Sequence, residues 1–157
     1  MRSVFATTAL LLIAAPLMAQ DKQVIGQRPP NPNATGPARP ATLSPAIRVG
    51  NILWVSGQLG LAPRDSTGAA NGITEQTTRS LQNTKRLVEE AGSTMDLGVK
   101  CTVFLTDMTE FQAMNEAYVK VFTKDPPTRS TVAVSALANP AAKVEIECLF
   151  AMPAGGK

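Results

Sequence analysis

The residues best suited to chemistry in this sequence are one arginine and two glutamates near its C-terminal end. Arg129 stands in Asp125-Pro-Pro-Thr-Arg-Ser-Thr-Val-Ala-Val134, where two prolines break a helix and a β-prone run begins. A guanidinium at the mouth of a strand is a planar, permanently charged fork that fits a carboxylate through two parallel hydrogen bonds. Thr131, two residues on, points the same way along an alternating strand. Glu145 and Glu147, in Val144-Glu-Ile-Glu147, share one face of a later strand, where a carboxylate can orient a water or move a proton. The plain alternative for these three charges is a structural ion pair between Arg129 and one of the glutamates.

Other chemistries lack their side chains. The chain has no histidine, which removes the usual base of a nucleophilic triad and the commonest metal ligand. Its two cysteines, Cys101 and Cys148, are not at ligand spacing. No Gly-rich loop is present to cradle phosphate. No metal and no cofactor is expected.

The elements that must position these groups are legible from periodicity. Ala46 to Val49 and Ile52 to Gln58 read as a hairpin across Gly50-Asn51. Ile73, Thr77, Leu81, Thr84, Leu87, Val88 and Ala91 recur at helical spacing, predicting a helix over 74–91 with Gly92 at its C′ position. Val99 to Leu105 alternates as a strand, with Val99, Cys101, Val103 and Leu105 on one face. A second helix is predicted from Thr109, where Thr109-Glu-Phe-Gln112 fits a capping box, with Phe111, Met114, Tyr118, Val121 and Phe122 as its apolar stripe. Strands over 130–134 and 143–150 complete the order ββαβαββ. Two amphipathic helices cover one face of one mixed sheet, so the fold class is α+β, a two-layer sandwich. The other face carries Trp54, Phe104 and Leu149 beside Thr102, Glu145 and Glu147. Too apolar to stay wet and too polar for a dry core, it predicts burial against further copies of the chain in a closed homo-oligomer. Cys101 and Cys148 both fall on the helix-facing side, as a disulfide or as two buried thiols; sequence leaves both open.

The ends read differently. Residues 1–19 carry Arg2, an apolar run from Ala9 to Ala15 and small residues up to Ala19, the pattern of a secretory signal. A periplasmic or secreted protein is expected, with no membrane association once the signal is removed. Residues 20–42 hold Pro29, Pro30, Pro32, Pro37 and Pro40 without apolar period and predict a flexible tether. Residues 43–157 suffice for one domain. They contain eleven Lys or Arg against eleven Asp or Glu, and so lack the basic footprint that nucleic acid requires.

In order along the chain, SPAIRVGNILWVSGQLGL, QTTRSLQNTKRLVEEAGS, VKCTVFLTDMTEF, NEAYVKVF, PPTRSTVAV and VEIECLF resemble the Rid family of reactive intermediate deaminases, also called the YjgF or RidA family. The resemblance runs from Leu43 to Phe150. It implies a chorismate-mutase-like fold and a homotrimer with sites in the clefts between subunits. It also implies hydrolysis of 2-imino acids, enamine/imine by-products of pyridoxal-phosphate enzymes, to 2-keto acids and ammonia. Carried onto this chain, the resemblance makes Arg129 the holder of the substrate carboxylate and Glu145 the residue that positions or activates water. Ser56 and Asn115 match further substrate-binding positions. Two positions depart from the pattern and bear on selectivity and rate: Leu43, where many members have tyrosine, and Thr131, where some have cysteine. The alternative function is a non-catalytic small-carboxylate-binding or protein-interaction module on the same fold. Ribonuclease activity, attached to the family by name, is disfavoured by the neutral domain, the missing histidine and the single tryptophan.

Overall fold

The computed structural model describes residues 21–27, 41–61 and 72–154. Its elements run β1 (Lys22–Ile25), β2 (Ala46–Val49), β3 (Ile52–Leu59), α1 (Ile73–Glu90), β4 (Gly98–Leu105), α2 (Phe111–Tyr118), β5 (Thr128–Ala133) and β6 (Val144–Ala151). The six strands form one sheet in the order β1-β2-β3-β6-β4-β5. Neighbours are antiparallel except β4 and β5, which pair parallel. The architecture is α+β, a mixed sheet with two helices, as expected.

Each strand's alternation decides what it buries. Cys101, Val103 and Leu105 of β4 and Val144, Ile146, Cys148 and Phe150 of β6 are buried, and Leu81, Leu87 and Val88 of α1 with Met114 and Tyr118 of α2 share their core. The opposite face is open in the single chain, where Trp54 is 50 % exposed. Val99 departs from the expected pattern. The β4–β6 register shifts between Gly98 and Lys100, and Val99 turns outward instead of joining the core.

Three further expectations change. The tether over 20–42 does not hold for Lys22–Ile25, which pair antiparallel with β2 from Lys22↔Val49 to Ile25↔Ala46. The Gly26 amide donates to Glu90 Oε1 at 2.9 Å, and Ile25 packs on the core. These contacts offset the ordering entropy of a segment with no strong local signal. The signal peptide, residues 1–19, and the rest of the proline-rich stretch, 28–40, lie outside the described residues. The capping box at Thr109 is replaced by an earlier cap. The Asp107 carboxylate accepts from the Thr109 amide at 2.8 Å and opens a 3₁₀ turn, Met108–Glu110, ahead of α2. α2 also ends at Tyr118, short of Val121 and Phe122. As predicted, Gly92 adopts positive φ (82°) beyond α1.

Cys101 and Cys148 are directly opposed across β4 and β6 and form a disulfide, which decides the alternative that sequence left open. The bridge closes a loop of 47 residues, and loop-closure entropy assigns it about 4 kcal/mol. Denaturant unfolding of Cys101→Ala/Cys148→Ala at matched protein concentration should show a loss of that size. An unchanged midpoint would mean that the cross-link adds nothing beyond the strand pairing.

Candidate functional site

Arg129 sits on β5, an edge strand, in parallel register with Cys101; Thr131 pairs with Val103. Cys101 and Val103 face the core, and residues paired in register project to one side. Arg129 and Thr131 therefore lie on the helix side of the sheet. The turn feeding β5 is set by Asp125 at φ 45°, a left-handed conformation that Asp tolerates, followed by Pro126 and Pro127.

The Arg129 guanidinium is half-buried and has neither an ion pair nor a hydrogen bond among the described residues. Its contacts are aromatic, with Cζ 4.7 Å from the Tyr118 ring centroid and 5.7 Å from that of Phe111. It opens into a cleft of about 510 Å³, lined also by Gln112, Asn115, Glu116, Tyr118, Val119 and Pro127. Asn115 and Arg129 are thus brought together, from α2 and β5. The hydroxyls of Tyr118 and Thr131 are buried without a hydrogen-bond partner. Burial raises the Tyr118 phenol from 10.0 to about 12, against a smaller lowering by the Arg129 charge. Tyr118 is the sole tyrosine, so the protein's phenolate absorbance should titrate with a midpoint near that value. Because the folded-state value is raised, the phenol's stabilising contribution is complete below pH 10 and declines as pH climbs towards 12. A midpoint at the ordinary value would contradict the burial.

Glu145 occupies a different place. Its β6 neighbours Val144 and Ile146 are buried against the helices, so Glu145 projects from the opposite face, across from Leu59 of β3 and Phe104 of β4. Its carboxylate lies over Gly57; a Cβ there would meet Glu145 Cδ at 2.7 Å, so a larger residue would push the Glu145 side chain from this position. A register shift between Val55 and Gln58 creates this spot. Ser56, next to it, donates its hydroxyl to the Ser44 carbonyl at 2.7 Å and its amide to the Pro45 carbonyl at 3.0 Å. Leu43, 68 % exposed, and Gly57 border a second hollow of about 650 Å³.

One helix hangs both of these strands. Gln76 of α1 accepts from the Lys143 amide at 2.8 Å and donates to the Ala141 carbonyl at 3.1 Å, fixing the entry to β6. Ser80 and Asn83 donate to the Gln58 and Leu59 carbonyls at 2.8 and 3.0 Å. Sequence reasoning missed this polar edge of α1. Its signal was the row Gln76, Ser80, Asn83 at helical spacing beside the apolar stripe.

The predicted site residues consequently fall into two groups. Arg129, Asn115 and Thr131 belong to the β5–α2 side; Glu145 and Ser56 belong to the β3–β6 side. Arg129 and Glu145 are separated by β4 and point to opposite faces of the sheet. Within a single chain that excludes the ion pair that residue types alone allowed, and Glu147 shares Glu145's face.

Both groups fall inside the span matched by a family model. The model described as Endoribonuclease L-PSP covers residues 34–152. The chain belongs to this family, the Rid or YjgF family. Among Rid relatives, a RutC family protein of Saccharolobus solfataricus is 43% identical over 94 residues, 60% of this chain and 75% of that protein. Reactive Intermediate Deaminase A of Arabidopsis thaliana is 37% identical over 113 residues, 70% of this chain and 60% of that protein. Among solved Rid structures, RidA from an Antarctic Psychrobacter has a TM-score of 0.65 at 35% identity, covering 74% of this chain and 93% of that one. E. coli TdcF with bound serine has 0.67 at 30%, covering 83% and 99%. The Rid fold seen here is therefore shared over nearly the full length of those two chains.

Proposed function

We propose that the protein hydrolyses 2-imino acids to 2-keto acids and ammonia, in a homotrimer whose sites lie between subunits. The observation that carries this reading is the Arg129 guanidinium, half-buried in a cleft and without an acceptor among the described residues. A half-buried guanidinium with no ion pair among the described residues suits a ligand carboxylate, which it can take bidentately. Family members include a reactive intermediate deaminase, and the E. coli relative holds serine, a small α-carboxylate compound.

Imine hydrolysis suits this inventory because water itself is the nucleophile. Arg129 holds the carboxylate and thereby places C2. Glu145 accepts a proton from water as its oxygen bonds to C2, and the C=N π electrons move to nitrogen. Glu145 returns that proton to nitrogen to give the neutral carbinolamine; the carbinolamine hydroxyl proton then passes to nitrogen, the C–N bond breaks, and ammonia leaves as the C=O of the keto acid forms. Orientation and one carboxylate base are the effects required. No histidine is needed.

Arg129 and Glu145 of one chain cannot reach one small molecule from opposite faces of the sheet. A second copy, offering its β3–β6 side to the β5–α2 side of the first, supplies the missing half. Burying the open face around Trp54 favours the same assembly.

An extracytoplasmic location completes the proposal. It is supported by the Cys101–Cys148 bridge, of a kind that persists in oxidising compartments, and by the signal-like pattern of residues 1–19.

The test is direct. An amino-acid oxidase generates 2-iminobutanoate or 2-iminopropanoate in situ, semicarbazide traps the surviving imine, and the purified protein competes with the trap. Trapped product should fall with added protein. Undiminished trapping across several amino acids, with 2-keto acids still bound, would make the protein a carboxylate-binding module instead.

A further inference from the structure

An arginine with no hydrogen-bond or ionic partner samples many rotamers unless neighbouring groups hold it. We infer that Tyr118 and Phe111 are positioning residues for Arg129, an aromatic cradle that fixes the guanidinium while leaving its charge and N–H groups available to a ligand. This rests on the reading of Arg129 as the carboxylate handle.

Three observations carry it. First, the guanidinium lies over both rings, with Cζ 4.7 Å from the Tyr118 centroid and 5.7 Å from that of Phe111, and makes no hydrogen bond or ion pair among the described residues. Phe111 opens α2 and Tyr118 closes it; seven residues apart, they share the face turned to β5. Second, Tyr118 is itself closely packed. It is 3% exposed and its ring packs on Phe122 with centroids 4.8 Å apart. Third, the ring is neutral. Burial keeps the phenol protonated, so no phenolate competes for the guanidinium.

The physical advantage lies in what the rings do not do. A carboxylate partner would also hold Arg129 in place, but it would occupy the N–H fork and cancel its charge. An aromatic face attracts the cation through its quadrupole and leaves the guanidinium edge open. The side chain's rotamer entropy is then lost on folding and not on binding, which raises ligand affinity.

The experiment compares wild type with Tyr118→Leu, Tyr118→Phe and Phe111→Leu, using 2-oxobutanoate affinity, KM and kcat for 2-iminobutanoate, and the ¹⁵N-resolved Nε–H resonance of Arg129. In wild type that resonance should be ring-current shifted. Tyr118→Leu should weaken keto-acid binding and raise KM by roughly 3- to 30-fold with little change in kcat, and should abolish the resonance shift. Tyr118→Phe should restore affinity, KM and shift to within about 2-fold of wild type, since the ring and not the hydroxyl acts. Phe111→Leu, at a less buried position, should give a smaller change of the same sign, and serves if Tyr118→Leu does not fold. Wild-type affinity in folded Tyr118→Leu, or in Phe111→Leu if that variant stands alone, would overturn the cradle. So would a loss in Tyr118→Phe equal to that in the leucine variant. Should wild type bind no keto acid, the carboxylate reading fails by itself. The resonance then still judges the cradle, and an unshifted Nε–H would end it.

Discussion

Arg129→Ala should raise KM for 2-imino acids by on the order of 10²- to 10³-fold, while kcat at saturation changes far less. The size follows from two charge-assisted hydrogen bonds to one carboxylate, formed in a cleft where burial limits competition from water. The bias towards KM follows from the group's place. A carboxylate keeps its charge from ground state to transition state, so its binding is largely uniform. Arg129→Lys should fall between the two, because an ammonium keeps the charge and loses the planar fork. Imine-trapping kinetics on the three proteins decide the matter. A wild-type KM in the alanine variant would take the handle away from Arg129 and leave its unpaired state without a function.

Glu145→Gln should behave in the opposite way, with kcat lower by roughly 10²- to 10⁴-fold and KM near wild type. The amide keeps the shape that lies over Gly57 but cannot take a proton from water. The two variants together test the geometry more sharply than either alone. Within one chain, Arg129 and Glu145 lie on opposite faces of the sheet, so the site of the proposed homotrimer needs them from different subunits. Trimers reassembled from equal amounts of the two variants should then contain intact sites at about one interface in four, restoring about a quarter of wild-type activity from two inactive parents. Recovery at the level of the parents would mean that both residues act within one subunit, which this sheet does not allow without rearrangement.

Much of the fold was legible because its signals are local. The period of Leu81, Leu87 and Val88 marked α1, the alternation of Cys101, Val103 and Leu105 marked β4, and Gly50-Asn51 marked the hairpin. Where the reading failed, a contact that the local pattern did not reveal had outcompeted the expected one. Lys22–Ile25 carries no strong strand signal, yet it gains a partner in β2 and a core contact through Ile25. Asp107 captured the start of the second helical region from Thr109 because its carboxylate reaches the Thr109 amide. Val99 left the core because a one-residue slip in register reverses the face of a side chain.

The sequence by itself determined the chemical inventory: one arginine at a strand mouth, glutamates on a strand face, no histidine, and two cysteines on the core side of their strands. Motif order was enough to indicate the family. It could not determine which of these groups meet, because face and strand order are properties of the sheet and not of any segment. Only the tertiary structure set β6 between β3 and β4 and left β5 at the edge. That order joined Cys101 to Cys148, brought Asn115 and the Tyr118 ring to Arg129, and put Glu145 beyond its reach. Strand alternation fixes a side chain's face only relative to its own neighbours. The pairing of strands turns that relative choice into an absolute one.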